Sequence, residues 1–202
     1  MIPRLDTPRH TPARQTSLAR GFTSVEALLG HLGLTPQPPL PAMAAAFPLR
    51  VPRGFADRME TGNINDPLLR QVLPVAAENT GHPDYSCDPL DEQHAMPVPG
   101  ILRKYRGRAL LTLTGACAIH CRYCFRRHFP YSEANPLGSG HEKAIDYLRS
   151  HPDIGELVLS GGDPLSLPDS RLSGLAARLA GISHLHTLRI HTRLPIVLPE
   201  RV

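Results

Sequence analysis

The second half of the chain alternates between two periodicities, and that alternation narrows the folds open to it. Residues 109–114 (Ala-Leu-Leu-Thr-Leu-Thr), 156–160 (Glu-Leu-Val-Leu-Ser) and 186–192 (His-Thr-Leu-Arg-Ile-His-Thr) are short runs of strand length and strand composition. Helical patterns lie between them. Ile145 and Leu148 share one face behind a Ser139/Glu142 capping box, and Leu172, Leu175, Ala176 and Leu179 share another. Strand, helix, strand, helix, strand predicts an α/β fold with parallel pairing through right-handed crossovers. Ligand sites in such sheets lie at the carboxyl ends of strands. Two chemically unusual segments fall at those ends. The first run leads straight into a cysteine-rich loop, and the second ends in Gly161-Gly162-Asp163.

The loop holds Cys117, Cys121 and Cys124, a C-x3-C-x2-C spacing. Zinc sites pair a two-cysteine knuckle with a second ligand pair further on, and no such pair is present. Three thiolates on one tight loop suit an iron–sulfur cubane, where each soft sulfur holds one iron. A [4Fe–4S] cluster then keeps one iron without a protein ligand, and an open metal position marks a catalytic site. Cys87, the fourth cysteine, lies thirty residues upstream of Cys117 in a loop. It is read as a thiol outside the cluster. The alternative is a closed four-cysteine cluster of electron-transfer type.

Gly161-Gly162-Asp163 alone is weak, because Gly-Gly-Asp after a strand is often only a tight turn. Glycines also let a ligand approach the backbone, whose amides and carbonyls can grip an amino-acid group. Beside the cysteine loop, the ligand-binding reading is preferred. Arg126 and Arg127 follow the last cysteine. They suit charge balance for an anionic cluster, or recognition of a carboxylate or phosphate by the planar guanidinium fork. Arg108, just before the first run, is placed to serve similarly. His120 and His128 flank the motif and are given no catalytic role.

The first hundred residues carry fewer signals. Residues 1–20, with Pro3, Pro8 and Pro12, read as a flexible lead-in. A short helix follows, with a Thr23/Glu26 capping box, Val25, Leu28, Leu29 and Leu32 on one side, and Gly33 at its C-terminal cap. Six prolines in residues 36–53 predict an extended connector. Helical turns are expected at 53–60 and 67–72, and irregular structure over 81–100.

Composition excludes some classes. The 202 residues suffice for a domain with a real core, and no apolar run approaches a membrane span. Only Lys104 and Lys143 among the 22 basic residues are lysines, and the arginines are scattered. The basic stripe with interleaved aromatics that nucleic-acid binding needs is missing. Clustered thiols that must stay reduced point to the cytoplasm.

Several stretches carry a family likeness. The cysteine spacing, with an aromatic before the last cysteine and a strand-end Gly-Gly-Asp, resembles the radical S-adenosylmethionine superfamily. Asp88-Pro-Leu-Asp-Glu, Pro97-Val-Pro-Gly, Lys104-Tyr, Cys121-Arg-Tyr-Cys-Phe-Arg-Arg-His-Phe, Leu159-Ser-Gly-Gly-Asp-Pro-Leu and Leu188-Arg-Ile-His-Thr-Arg-Leu-Pro-Ile-Val are similar to the lysine 2,3-aminomutase family. Phe125-Arg-Arg-His-Phe-Pro-Tyr and Asn65-Asp-Pro-Leu-Leu-Arg-Gln-Val-Leu-Pro resemble its elongation factor P β-lysylation branch. The likeness runs from about residue 47 to the last.

The resemblance implies conversion of L-lysine to (R)-β-lysine, attached to elongation factor P by a separate ligase. The implied cofactors are a [4Fe–4S] cluster on Cys117, Cys121 and Cys124, S-adenosylmethionine, and pyridoxal 5′-phosphate. The electron donor implied is a flavodoxin or ferredoxin. Gly161, Gly162 and Asp163 are assigned to the S-adenosylmethionine amino group, with Arg189, His191 and Thr192 facing the same cofactor. Arg126 matches the arginine that holds the substrate carboxylate, and Arg108 one near pyridoxal phosphate. The family's Schiff-base lysine corresponds to neither Lys104 nor Lys143 and is expected beyond residue 202. The fold expected is a partial (β/α) barrel of the radical S-adenosylmethionine type, apparently truncated, behind a mostly helical or irregular N-terminal extension. Its divisions are 1–46, a flexible segment with one helix; 47–107, the family's extension; and 108–202, the incomplete barrel. Two alternatives remain: an electron-transfer module with Cys87 as fourth ligand, and an inactive remnant.

Overall fold

The computed structural model describes residues 18–35, 47–80, 83–134 and 140–201. Residues 1–17 of the lead-in expected over 1–20, most of the proline-rich connector and the Ser139 cap lie outside the described residues. The described residues form two compact units. One draws on Met1–Thr80, Ala118–Tyr123 and Leu194–Val202, and the other on Gly81–Cys117 and Cys124–Arg193.

The first unit is built from short elements. Helix α1, Val25–His31, buries Val25, Leu28 and Leu29. Its cap is Ser24, whose side chain accepts the Ala27 N–H at 3.1 Å, which corrects the expected Thr23/Glu26 box by one residue. Ser24 still has extended backbone, so the helix can begin only after it. At the other end Gly33 takes φ +67°, the left-handed conformation that glycine adopts without strain. It lets Gly33 N–H reach the Gly30 carbonyl and Leu34 N–H the Leu29 carbonyl, satisfying two carbonyls at the helix end. Helix α2, Arg53–Ala56, and a single 3-10 turn, Leu69–Gln71, occupy the two stretches expected to be helical. Asp66, inside the Asn65-Asp-Pro motif, accepts N–H groups from Leu68, Leu69 and Glu60. Burial pushes its carboxyl up, but those three donors outweigh burial and hold it below the usual range.

The second unit carries a four-stranded sheet in the order β1-β2-β3-β4. Its strands are β1 Ile101–Tyr105, β2 Arg108–Thr114, β3 Glu156–Gly161 and β4 Thr187–Ile190. The three runs read from sequence are β2, β3 and β4, and they pair in parallel. The count of three is corrected by β1, which pairs antiparallel with β2 and makes the sheet mixed. Ile-Leu-Arg-Lys-Tyr has too few apolar residues to announce a strand alone. It forms because the two-residue connection after Tyr105 folds it back on a strongly apolar neighbour.

Helix α3, Gly140–Ser150, and helix α4, Asp169–Ala180, lie in the two crossovers. Ala144, Ile145 and Leu148 from α3, with Leu175 and Leu179 from α4, share one core with Ala109, Leu111, Leu113, Leu157 and Leu159 of the sheet. Strand side chains alternate between faces, so Arg108, Leu110, Glu156, Val158 and Ser160 belong to the opposite face. That second face positions the site. Among the described residues no helix is long and apolar enough to cross a membrane.

Candidate functional site

The carboxyl ends of β2 and β3 are tied together by main chain. Gly162 N–H donates to the Thr114 carbonyl at 2.6 Å, and Asp163 N–H to the Ala116 carbonyl at 2.9 Å. Thr114 adds its hydroxyl, accepting the Ala116 N–H at 3.0 Å. The turn after β3 is thereby pinned to the residues that open the cysteine loop. The glycines are required by this contact. Gly161 has φ +119°, and a Cβ on Gly162 would lie 2.5 Å from the Ala116 carbonyl oxygen. What presses against these two glycines is the chain's own backbone.

Arg126 is the most heavily engaged side chain of the site, and it is only 5% exposed. Its Nε and Nη2 donate to the two oxygens of Glu92 at 2.8 and 2.7 Å. Its Nη1 donates to Ser160 Oγ at 2.9 Å and to the Gly161 carbonyl at 3.3 Å. A guanidinium has five N–H donors. These four contacts leave one on Nη2, so an incoming carboxylate finds a single donor unless Glu92 or Ser160 gives way. Phe125 and Phe129 lie near the guanidinium, 5.0 and 5.8 Å from it to their ring centroids. Glu92 was not singled out from sequence, although it ends the Asp88-Pro-Leu-Asp-Glu stretch. Its signal was an acidic residue in a loop, which is indistinguishable from a solvated charge until its partner is known.

An open cavity of about 270 Å³ lies on the same face of the sheet. Glu92, Lys104, Tyr105, Arg108, Arg126 and His191 line it, over an apolar floor that includes Leu110 and Val158. Arg108 and Arg189 reach Glu156 from the two flanking strands, each placing Nε 2.8 Å from Glu156 Oε1. Lys104 donates its ammonium to the Leu90 carbonyl. The cavity wall therefore combines Lys104 with two arginines already paired to Glu156 and Glu92, above a hydrophobic floor.

All four cysteines are thiols, with Cys117, Cys121 and Cys124 half-buried and Cys87 exposed. Cys117 and Cys124 belong to the second unit, Cys121 to the first. Among the described residues, no group of three His, Cys, Asp or Glu side chains is gathered closely enough to hold an ion. The fit to a cluster rests on the donor set, three soft sulfur ligands within eight residues. Tyr131 lies near two of them. Burial pushes its phenol well above the ordinary value, Arg126 pulls it down, and negative charge at Cys117, Cys124 or Glu92 pushes it further up. Within the first unit His120 is committed elsewhere. Its ring is 4.7 Å from that of Phe47 and its Nδ1 is 2.7 Å from the Pro48 carbonyl.

No family model matches the chain. It is 48% identical over 199 residues to the L-lysine 2,3-aminomutase of Escherichia coli (strain K12), a match covering 96% of this chain and 58% of that one. To the L-lysine 2,3-aminomutase of Haemophilus influenzae it is 49% identical over 156 residues, covering 77% and 46%. The enzyme of the same name from Clostridium subterminale is 37% identical over 150 residues, covering 73% and 36%. The chain belongs to the lysine 2,3-aminomutase family. It spans about half the length of the curated relatives it matches.

Set against the residues expected of the lysine 2,3-aminomutase family, the second unit brings Arg126, Gly161, Gly162, Asp163, His191 and Thr192 to the carboxyl ends of β3 and β4, whereas Arg108 opens β2 at its amino end and Arg189 lies within β4. Arg126 and Gly161 touch, and Arg126, Arg108 and His191 share the cavity. Asp163 is buried, and its carboxylate is spent internally, accepting Leu165 N–H at 3.0 Å, Thr192 Oγ1–H at 2.6 Å and Arg193 N–H at 2.8 Å. Its main chain is engaged as well, the N–H donating to the Ala116 carbonyl and the carbonyl accepting the Ser166 N–H, each at 2.9 Å. Thr192 is likewise turned toward Asp163, and Arg189 toward Glu156.

Proposed function

We propose that this chain carries the cluster and S-adenosylmethionine part of an aminomutase that converts L-lysine to (R)-β-lysine for modification of elongation factor P. The observation that supports it best is the tie between the Gly161-Gly162-Asp163 turn and the start of the cysteine loop, through Thr114 and Ala116. Cys117, Cys121 and Cys124 would ligate three irons of a [4Fe–4S] cluster, leaving the fourth to S-adenosylmethionine. When bound, the cluster and S-adenosylmethionine supply the radical initiator, and pyridoxal phosphate supplies the carbonyl group that carries the migrating amine.

The chain's own residues bind and orient. The main chain of Gly161, Gly162 and Asp163 would receive the amino group of S-adenosylmethionine, with His191 and Thr192 at the same rim and Arg189 behind them. Arg126 would meet the substrate carboxylate with its one uncommitted donor. Arg108 and Lys104 put two cations on the cavity wall, which fits the phosphate of pyridoxal phosphate.

The parallel strands β2, β3 and β4, with α3 and α4 on one face, would fit the repeating unit of a (β/α) barrel. We take 108–202 as barrel of the radical S-adenosylmethionine type, 47–107 as the family's extension and 1–46 as a lead segment. A reducing cytoplasm and a flavodoxin or ferredoxin donor follow from the same reading.

The test is anaerobic reconstitution with iron and sulfide. The expected result is about four irons per chain and dithionite-dependent cleavage of S-adenosylmethionine to 5′-deoxyadenosine. Cys124→Ala should lose both. A Cys124→Ala protein that keeps the full cluster spectrum and cleaves S-adenosylmethionine overturns the assignment.

A further inference from the structure

The peptide unit between Gly161 and Gly162 is held at both poles. Its N–H donates to Thr114 at 2.6 Å, and its carbonyl accepts from Arg126 Nη1 at 3.3 Å. A peptide flanked by two glycines has little steric resistance to rotation, so its orientation depends on such contacts. The donor at its carbonyl pole is itself set by Glu92. That carboxylate takes Nε and Nη2 side-on, a geometry that leaves Nη1 facing Ser160 and Gly161. Glu92 also compensates a guanidinium that is almost fully withdrawn from water, and is itself 5% exposed. Glu92 is fixed in turn by Asp88, whose two carboxylate oxygens accept the N–H groups of Glu92 and Gln93, each at 3.0 Å. A chain of contacts thus runs from Asp88 through Glu92 and Arg126 to the one peptide whose direction decides which backbone groups the turn presents.

We propose that Glu92 is a positioning residue for S-adenosylmethionine, holding the Gly161–Gly162 peptide in its binding orientation through Arg126. The proposal rests on the S-adenosylmethionine reading above and adds a residue outside the expected ligand set. Glu92→Gln keeps the shape but offers an amide N–H to a guanidinium N–H, so one of the two contacts becomes a clash of donors. Arg126 is then released to turn, and the Gly161 carbonyl loses its partner.

The experiment uses the full 202-residue chain, reconstituted with iron and sulfide and reduced. S-adenosylmethionine is titrated while its effect on the cluster's electron paramagnetic resonance signal is followed, and thermal unfolding is measured in parallel. Glu92→Gln should carry the wild-type iron content and bind S-adenosylmethionine about tenfold more weakly. Glu92→Asp, which keeps the charge, should recover part of the loss. A lowered melting temperature with unchanged affinity would mean a purely structural role, and the proposal would fail. If the wild-type cluster signal ignores S-adenosylmethionine, the underlying reading fails instead, and the two results cannot be confused. Should Glu92→Gln not fold, Ser160→Ala decides. It removes a milder contact of the same guanidinium and should weaken binding about threefold, and an unchanged affinity there overturns the proposal.

Discussion

Thr192 donates its hydroxyl to Asp163 Oδ1 at 2.6 Å, so the end of β4 is fastened to the turn that follows β3. The same carboxylate accepts two main-chain N–H groups. Asp163→Asn should therefore destabilise the chain by about 1–3 kcal/mol, because one acceptor is replaced by a donor facing a donor. Thr192→Val should cost less, about 0.5–1.5 kcal/mol. The double variant should fall short of the sum, since both changes break the same contact. Denaturant unfolding of the four proteins checks this, and strict additivity would deny the coupling.

Substitution at Gly162 meets a harder obstacle. A methyl group there would sit 2.5 Å from the Ala116 carbonyl oxygen, which is backbone and cannot swing aside. Gly162→Ala should push the turn away from the cysteine loop, at a cost of about 1–3 kcal/mol. Iron uptake on reconstitution should drop with it, because the loop loses its anchor at Ala116. Iron analysis beside a melting curve measures both effects.

Acid should weaken both units through identifiable carboxylates. The N–H groups of Glu92 and Gln93 hold the Asp88 carboxyl below its ordinary value of 3.8. For Asp66 burial opposes the shift, but the N–H groups of Leu69, Glu60 and Leu68 bring it below 3.8 as well. A group whose folded value is depressed lends stability that is fully present above its unfolded value and is lost as pH falls through the folded one. Melting temperature should hold above about pH 5 and decline below 3.8. Asp88→Asn and Asp66→Asn should each flatten that decline, whereas an unchanged slope in both would rule out these groups as its source.

The shared core of the sheet and its two helices makes a simpler prediction. Leu111 is fully buried at the centre of that core. Leu111→Ala should cost about 2–5 kcal/mol, since transfer and cavity terms add. Exposed Leu188 on β4 should tolerate the same change with less than about 1 kcal/mol lost. Chemical denaturation of the two variants compares them directly.

How far the sequence reaches depends on whether a signal is local. Strands β2, β3 and β4 and helix α4 were legible because their apolar spacing is written in consecutive residues. Strand β1 was not, since it exists through pairing with β2 and has little pattern of its own. The Ser24 cap was missed by one position, as Thr23 and Ser24 offer the same chemistry and only the backbone angle of Ser24 separates them. At the site, Cys117, Gly161 and Arg126 were conspicuous by residue type and spacing. The partnership of Glu92 with Arg126 spans 34 residues, and the clasp of Asp163 on Thr192 spans 29. Neither leaves a trace in local pattern. The glycines also permit a contact that no local pattern announces, the close approach of one strand end to another.

The shared carboxylate of Glu156 has a further effect on the sheet. It stands on β3 between Arg108 of β2 and Arg189 of β4, and it engages both from the face opposite the helices. If either neighbour slipped by one residue, its side chains would change faces, and a guanidinium would be driven into the layer formed by Leu111, Leu157 and Ile145. The three parallel strands are thus locked against sliding by a charge none of them can carry to the other side, and the alignment of the loops at their ends is inherited from that lock.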